Sequence, residues 1–277
     1  MTSDHPAPAL DLDAYLDHLG WNGGRTPNPA TLRGLNRAHQ LAIPFENLDA
    51  ALGAAPSLDL AEVATKLLGS RRGGYCYEHN TLFAAVLRRL GFTVTGLMAR
   101  VQVGAGPGVL RPRTHMTLLV EVPGEPHPYL ADVGFGSPGS LLEAIPFVAD
   151  SVTETEGGRR HRLVLGERTG PLRSWQLQSW RSGAWEVQYA FTEEPFEAPD
   201  YAVANWHVAT HPRSPFSSSV YVLRTFSDHH LQLVGDELTH LDLAGTRSVR
   251  TLTGDPERLK VLSAEFGIDL PEGTRLP

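Results

Sequence analysis

The only cysteine in the sequence, Cys76, follows two arginines and two glycines. Gly73 and Gly74 allow a tight turn, and the apolar spacing after Cys76 predicts a helix that begins at the thiol. The positive end of a helix stabilises an anion by roughly 0.3–1 kcal/mol, which is too little to keep a thiol ionised at neutral pH. A nucleophilic Cys76 therefore needs a cationic partner, usually a histidine. Without such a partner, a lone cysteine is more simply a small buried apolar residue.

His115 and Asp132 are the strongest candidates for partners of the thiol. His115 begins a predicted strand, Asp132 ends the next one, and a turn over residues 123–126 joins the two as a hairpin. If Asp132 lies opposite Thr117, His115 is its diagonal neighbour on the same face, at roughly 7–8 Å between backbones. A register shift of one residue would place the two side chains on opposite faces. The competing interpretation makes His115 a buried structural residue and Asp132 a turn residue before glycine.

His79 is nearer to Cys76 in sequence, one turn along the same predicted helix. The helix dipole opposes an imidazolium near the helix N-terminus, so we expect the partner to come from the sheet. Cys76, His115 and Asp132 then supply a nucleophile, a base and an orienting carboxylate. This set of groups predicts nucleophilic catalysis.

The helices and strands that could position these groups follow from the spacing of apolar residues. Helical spacing predicts helices near residues 12–19, 28–35, 59–68 and 76–90. After Phe92, β-branched and apolar runs predict strands of a mostly antiparallel sheet or barrel, at 93–103, 114–122, 129–133, 162–165, 175–180 and 184–191. An acidic, proline-containing stretch predicts a boundary, followed by a short helix, strands near 218–226 and 238–243, and a helix from 255 to 266. The prediction is an α+β fold of three segments: 1–90, 91–197 and 198–277.

Composition and charge disfavour several classes of protein. With 24 basic and 31 acidic residues among 277, the net charge is −7, which disfavours binding to nucleic acid. No stretch reaches the ~20 apolar residues of a membrane-spanning helix and the first residues lack a secretory signal, so we expect a cytoplasmic protein without membrane contact. One cysteine cannot form an internal disulfide. The pairs His207 with His211 and His229 with His230 show no recognised pattern with a third ligand, so no metal is predicted.

Four segments of the sequence carry a family resemblance: residues 44–49 (PFENLD), 72–80 (RGGYCYEHN), 114–116 (THM) and 132–136 (DVGFG). In order and spacing they resemble the arylamine N-acetyltransferase family over nearly the whole chain, and a weaker match at residues 205–216 extends into the third segment. The resemblance implies a helical bundle, a β-barrel and an α/β lid for the three segments in that order. It also implies a triad like that of cysteine proteases, formed by Cys76, His115 and Asp132.

The resemblance further implies a transferase of xenobiotic metabolism that moves an acetyl group from acetyl-CoA, in two steps, through an acetyl-cysteine thioester. The acceptor would be an arylamine, a hydrazine or an N-hydroxyarylamine. Their positions in the family motifs imply that two groups of residues contact the ligands. The residues implied to contact the co-substrate are Thr114, Gly134, Gly136 and Phe216. Those implied to contact the acceptor are Tyr77 and Phe135. Glu46 and Arg72 match positions that we interpret as an ion pair bracing the turn before Cys76. The backbone N–H of Cys76 is the expected oxyanion donor.

Three other functions use the same features. Amide synthases that close macrolactams from a carrier-bound polyketide acyl chain resemble the sequence at the same triad, and acceptance of acetyl-CoA would separate the two. Hydrolysis or transglutamination by a catalytic thiol uses the same chemistry, and an assay of peptide or amide hydrolysis would test this alternative. A non-enzymatic module that binds acyl groups or CoA has no need for an ionised thiol beside a base. The natural acceptor, the acyl chain and the oligomeric state, including a homo-oligomer, stay open.

Overall fold

The computed structural model describes residues 10–277 except positions 107, 156, 167 and 169, so residues 1–9 of the first predicted segment lie outside it. The first part of the chain is helical: α1 (Leu12–His18), α2 (Pro29–Ala42), α3 (Leu48–Ala51), α4 (Leu60–Gly69) and α5 (Cys76–Arg89), with the strand β1 (Phe45–Glu46) before α3. All helices except α3 are predicted from the sequence, and α3 is too short to show a period. Asn28 and Asp59 accept hydrogen bonds from backbone N–H groups in the first turns of α2 and α4, as their positions predict.

An eight-stranded antiparallel sheet follows and forms a near-closed barrel. Its strands are β2 (Thr93–Val101), β3 (His115–Glu121), β4 (Tyr129–Ala131), β5 (Ile145–Pro146), β6 (Val152–Glu154), β7 (Arg160–Leu165), β8 (Trp175–Arg181) and β9 (Ala184–Phe191). Their order in the sheet is β5-β4-β3-β2-β9-β8-β7-β6. The predicted barrel is confirmed, and each strand predicted for it is present to within two residues at either end. The sequence missed β5 and β6, which are too short to show alternation.

The C-terminal part combines two helices with a five-stranded antiparallel sheet. The elements are α6 (Ala198–Thr210), β10 (Tyr221–Thr225), β11 (His229–Val234), β12 (Glu237–Asp242), β13 (Arg247–Thr251) and α7 (Gly254–Val261), which continues as a π-helical turn (Leu262–Phe266). The fifth strand is β1, which pairs with β10. The sequence pattern predicts β10, β12 and α7 but not β11 and β13, whose histidines, arginines and serine obscure the alternation. Within the described ranges, no helix has the length and apolar character needed to cross a membrane.

A hydrophobic core between α5 and the strands β2 and β3 positions the candidate residues. The buried apolar side chains of this core include Leu82, Phe83, Val86, Leu87, Val94, Met116 and Leu118. Burial of one such side chain contributes about 1.5–3 kcal/mol relative to exposure, so the helix is held firmly on the sheet. Because α5 begins at Cys76 and β3 begins at His115, this packing brings the first residues of the two elements together.

Candidate active site

The turn before Cys76 has no room for side chains at its two glycines. A Cβ atom at Gly73 would overlap the carbonyl oxygen of Pro44, and one at Gly74 would lie 2.8 Å from Oε2 of Glu78. Glu78 also accepts a hydrogen bond, at 3.0 Å, from the backbone N–H of the residue preceding Cys76. This contact caps α5. The thiol therefore begins the helix in a defined position, with 4% of Cys76 exposed.

His115 and Asp132 form the buried hydrogen-bonded pair that the hairpin predicts. Strand β3 pairs with β4 through Leu118 and Ala131, so continuation of the register places Asp132 opposite Thr117. The imidazole Nε2 of His115 lies 2.6 Å from Oδ2 of Asp132. Both side chains are almost completely buried. The two residues therefore share a face of the sheet, which the sequence alone left dependent on the register.

The protonation state of His115 depends on its burial and on two neighbours. Burial disfavours the imidazolium, but the charge of Asp132, its hydrogen bond and the side chain of Cys76 together raise the pKa of His115 to about 10. Because Nε2 faces Asp132, Nδ1 is the ring nitrogen left for the thiol. The Sγ atom of Cys76 also lies 3.7 Å from the carbonyl oxygen of Thr114. The thiol thus faces a cation that a helix N-terminus by itself does not provide.

Asn80 connects the elements that carry these three residues. Its Nδ2 donates hydrogen bonds to Oδ1 of Asp132 at 3.1 Å and to the carbonyl oxygen of Met116 at 2.8 Å. Its Oδ1 accepts one from the backbone N–H of Val133 at 3.2 Å. Asn80 has no predicted role, although its place four residues after Cys76 puts both residues on one face of α5 and is a usable signal in the sequence.

A partly buried cluster of five charged side chains supports the turn before the thiol. Arg72 contacts Glu46 at 2.8 Å and Asp49 at 2.6 Å, so the ion pair expected from the sequence is present. Lys66 contacts Asp49 at 2.6 Å and Glu78 at 2.7 Å. Burial raises the pKa of Glu78 to about 7, against the opposing effect of Lys66. The sequence did not indicate Lys66, and Asp49 had no predicted role although it belongs to the motif at residues 44–49, because the contribution of both depends on how α3 and α4 pack.

His79 belongs to a buried hydrogen-bonded chain rather than to the thiol. The hydroxyl of Tyr15 lies 2.8 Å from Nδ1 of His39, whose Nε2 lies 2.8 Å from Nδ1 of His79. The chain ends at the carbonyl oxygen of Pro44, 3.2 Å from Nε2 of His79. Burial lowers the pKa of His79 to about 4. His79 is therefore neutral near pH 7, in agreement with the preference for a partner from the sheet.

A cavity of about 810 Å³ opens on the thiol. Besides Cys76 and His115, its lining contains five of the predicted contact residues: Thr114, Gly134, Phe135, Gly136 and Phe216. Other parts of the wall come from the end of β2, from residues 111–112 and from residues 207–216. The volume is within the range of roughly 300–1,000 Å³ that is usual for sites of small organic ligands.

Gly134 and Gly136 permit close contact between loops. A Cβ atom at Gly134 would lie 2.7 Å from Cα of Cys76 and 2.9 Å from the carbonyl oxygen of the same residue. One at Gly136 would lie 2.5 Å from the ring of Phe45. The loop after β4 can therefore approach the start of α5 only because these positions lack side chains.

Tyr77 is the predicted contact residue that the structure places elsewhere. It is fully buried and is absent from the described lining of the cavity. Its ring packs against those of Tyr75, with 5.6 Å between centroids, and Tyr201, with 6.1 Å. One residue along a helix turns the side chain by about 100°, so Tyr77 points toward α6 while Cys76 faces the cavity.

The histidine pairs of the sequence show no metal-binding arrangement. His207 and His211 both line the cavity, with ring centroids 4.6 Å apart. In the part of the chain that the structure describes, no three or more histidine, cysteine, aspartate or glutamate side chains are grouped so as to hold a metal ion.

Comparison with known proteins agrees with this arrangement. The model of the N-acetyltransferase family matches residues 29–275 of the chain. The arylamine N-acetyltransferase of Mycolicibacterium smegmatis is 38% identical over 265 residues, which cover 95% of this chain and 93% of that protein. The resemblance carried by four sequence motifs therefore extends from residue 29 to residue 275.

Two solved structures share the fold. The arylamine N-acetyltransferase from Mycobacterium abscessus is similar with a TM-score of 0.88 and 41% identity, covering 95% of this chain and 91% of that one. The Mycobacterium marinum arylamine N-acetyltransferase in complex with CoA is similar with a TM-score of 0.85 and 34% identity, covering 93% of each chain. The chain belongs to the arylamine N-acetyltransferase family of acyltransferases.

Proposed function

We propose that the protein transfers an acetyl group from acetyl-CoA to the nitrogen of an arylamine or arylhydrazine, or to the oxygen of an N-hydroxyarylamine, by a ping-pong mechanism. The observation that carries the proposal is the contact of the Cys76 thiol with the buried pair of His115 and Asp132, at a cavity of about 810 Å³. Membership of the family supports the acyl acceptor, and the related structure in complex with CoA supports the donor.

In the first half-reaction, Cys76 is the nucleophile. Its thiolate attacks the thioester carbonyl carbon of acetyl-CoA while the positive charge of His115 balances the sulfur anion. The backbone N–H of Cys76, at the start of α5, is the proposed donor to the developing oxyanion. Cleavage of the C–S bond to CoA leaves an acetyl-cysteine, and His115 gives its proton to the departing CoA thiolate.

In the second half-reaction, His115 acts as the base. The amine attacks the acetyl-cysteine carbonyl, neutral His115 takes a proton from the amine nitrogen, and Cys76 leaves as a thiolate. The ion pair between thiolate and imidazolium is thereby restored. Asp132 holds the ring through Nε2 in both steps, so that Nδ1 stays directed at the reacting atoms.

Phe135 and Phe216 are the proposed aromatic contacts of the cavity. The ring of Phe135 lies 4.9 Å from that of His115, and the ring of Phe216 lies 5.9 Å from that of Phe45. Both line the cavity, so we propose that Phe135 contacts the aromatic ring of the acceptor and that Phe216 contacts acetyl-CoA. Thr114, Gly134 and Gly136 are assigned to contacts with acetyl-CoA as well, because they also line the cavity that opens on the thiol.

Intact-mass measurement of the protein mixed with acetyl-CoA in the absence of amine tests the proposal. We expect one acetyl group on the wild-type protein, none on Cys76→Ala, and its discharge when an arylamine is added. If the wild-type protein has a free thiol and gains no acetyl group, the proposal is wrong. A carrier-bound acyl donor, as used by macrolactam amide synthases, would then be the next donor to test.

A further inference from the structure

A second, smaller cleft lies between the barrel and the C-terminal sheet, and shares no lining residue with the cavity at the thiol. It is lined by the start of β7, the end of β8, His230 of β11 and the turn that follows β12. Its volume of about 50 Å³ holds a few water molecules or one small ion, since one water needs about 10–15 Å³ by this measure.

Arg159 lines this cleft and has two donors without a partner among the described residues. The residue is 7% exposed, and its Nη2 donates a hydrogen bond to the carbonyl oxygen of Phe226 at 2.7 Å. Its Nε and Nη1 are buried, and no partner for either lies among the described residues. An unpaired buried donor of a charged group costs several kcal/mol, so these two nitrogens require a ligand.

Two buried histidines line the same cleft with one unpartnered nitrogen each. His230 is 1% exposed, its Nδ1 lies 3.4 Å from the hydroxyl of Thr225, and its Nε2 has no partner among the described residues. His161 is 2% exposed and donates from Nε2 to the carbonyl oxygen of Gly139 at 3.2 Å. Its Nδ1 likewise has no partner in the described part of the chain. Because Nε2 of neutral His161 donates, its Nδ1 is an acceptor. In the tautomer of His230 whose Nδ1 accepts from the Thr225 hydroxyl, Nε2 is a donor.

The cleft has an excess of positive charge. Arg181 and Arg160 line it together with Arg159, and burial and nearby arginines lower the pKa of Arg159 to about 10. No carboxylate lies within ion-pair distance of Arg159 in the described ranges. Asp242 also lines the cleft, but its carboxylate accepts a hydrogen bond from the backbone N–H of Thr246 at 2.7 Å.

The remaining cations of the cleft already have partners. Arg181 contacts Glu186 at 3.5 Å, and Arg160 lies over the ring of Trp180 at 4.6 Å from its centroid. Among the described residues, neither Arg159 nor Arg160 contacts a carboxylate, and the charge of Asp228 acts on Arg159 only from beyond ion-pair distance. A water molecule would satisfy the N–H groups of Arg159 without offsetting its charge.

We propose that this cleft binds a phosphate group, with Arg159 as the counter-charge and His230 as a second donor. A protonated phosphate fits both histidines, because its oxygens accept from Arg159 and His230 while its O–H donates to Nδ1 of His161. Sulfate has the same shape and no proton to donate at neutral pH, so phosphate is preferred over sulfate. The volume favours free inorganic phosphate over the terminal phosphate of a larger molecule such as CoA.

Calorimetric titration of the whole protein with inorganic phosphate, at pH 7 and constant ionic strength, tests the proposal. We expect saturable binding of one phosphate per chain, at least tenfold weaker binding of sulfate, and none of chloride. Thermal denaturation in the same buffers should show a rise in Tm with phosphate, because a ligand that binds only the native state stabilises it. Equal effects of the three salts at one ionic strength would overturn the proposal without any variant.

Substitutions in the cleft test whether the phosphate binds there. Arg159→Met should weaken phosphate binding at least tenfold, and His230→Phe should weaken it as well. Arg168→Met is the matched control, since Arg168 is exposed and donates only to the carbonyl oxygen of Pro171 among the described residues. Binding by Arg159→Met as tight as that of the wild-type protein would show that the phosphate is elsewhere.

Kinetics distinguish the two sources of the phosphate group. Free phosphate in the cleft predicts that Arg159→Met leaves the KM for acetyl-CoA unchanged and that phosphate does not compete with acetyl-CoA. If the cleft instead takes a phosphate of CoA, Arg159→Met raises the KM for acetyl-CoA but not for p-nitrophenyl acetate, a donor without phosphate. That result would overturn the assignment to free phosphate.

Discussion

At the scale of single residues, the charge of the candidate site depends on Asp132. A buried imidazole without a carboxylate partner gives up its proton readily, and His79 and His161 illustrate this because burial lowers the pKa of each to about 4. His115 is equally buried, yet its pKa rises to about 10 beside Asp132 and Cys76. Of these three buried histidines, His115 is the one that contacts a carboxylate and the side chain of Cys76.

Replacement of the nucleophile should abolish acetyl transfer. We expect Cys76→Ser to lower kcat/KM by roughly 10³-fold or more, because an alkoxide is much harder to form than a thiolate beside the same base. Initial rates with acetyl-CoA and an arylamine measure the loss, and Cys76→Ala gives the background. Near-normal turnover of a correctly folded Cys76→Ser protein would remove the thiol from the mechanism.

Replacement of Asp132 should change the pH dependence of both the site and the fold. The native pKa of His115 lies above its value of about 6.5 in the unfolded chain, so its imidazolium stabilises the fold fully below pH 6.5. This contribution is lost as the pH rises toward 10. Asp132→Asn should lower the pKa of His115. The free energy of unfolding of the variant should then no longer lose this contribution as the pH rises from 6.5 toward 10.

NMR titration of the His115 ring and urea unfolding at several pH values between 6 and 10 measure these two effects. Asp228→Asn is the control, since Asp228 is exposed and contacts His229 instead. A His115 ring that titrates at the same pH in Asp132→Asn and in the wild-type protein would contradict the assignment.

At the scale of elements, the start of α5 is held by contacts from three directions. Glu78 caps it from within, Asn80 ties it to β3 and to the loop after β4, and the backbone at Gly134 lies against Cys76 itself. The thiol is therefore positioned by the packing of one helix end against β3 and the loop after β4.

Gly134→Ala should separate the loop after β4 from α5. Its Cβ atom would lie 2.7 Å from Cα of Cys76, and backbone on both sides limits relaxation. We expect a destabilisation of about 1–3 kcal/mol and a clear loss of kcat, because Asp132 moves with the loop. Urea unfolding and initial rates provide the measurements.

Gly24→Ala serves as the matched control for this change, since the nearest atom to its Cβ lies 3.8 Å away. Equal stability and activity of Gly134→Ala and Gly24→Ala would contradict the account of close packing at Gly134.

At the scale of the whole molecule, a short segment of the N-terminal part links the helices to the C-terminal sheet. β1 pairs with β10, and buried Asn47 donates to the carbonyl oxygens of Phe216 at 2.9 Å and Ser219 at 2.7 Å. Its Oδ1 accepts a hydrogen bond from the backbone N–H of Tyr221 at 2.7 Å. Because Phe216 and Tyr221 line the cavity, Asn47 controls the position of its C-terminal wall.

Asn47→Ala should therefore weaken both the fold and substrate binding. Loss of the side chain leaves buried backbone groups without partners, at a cost of about 1–3 kcal/mol. We expect a larger relative effect on KM than on kcat, since Cys76, His115 and Asp132 do not contact Asn47. Asn22→Ala is the control, because Asn22 is exposed and, among the residues that the structure describes, its side chain donates only to the carbonyl oxygen of Gly20. A loss confined to kcat would contradict this role.

Much of the candidate site follows from local patterns in the sequence. The turn before Cys76, the helix that it begins and the hairpin register of His115 and Asp132 each depend on residues close in sequence. The predicted division at residues 90 and 197 stays a prediction, and β1 crosses it by pairing with β10. Such pairing between distant segments leaves no periodic signal in a two-residue strand.

The sequence by itself determined the candidate nucleophile, its two candidate partners, the main helices and the barrel strands, because side-chain chemistry, apolar periodicity and turn residues are local properties. The tertiary structure alone decided that Tyr77 faces α6, that Asn80 and Lys66 support the site, and that Arg159, His161 and His230 meet in one cleft. These relations depend on how elements far apart in the chain pack against each other. Packing of that kind is set by the shape of the whole core, which no single segment encodes.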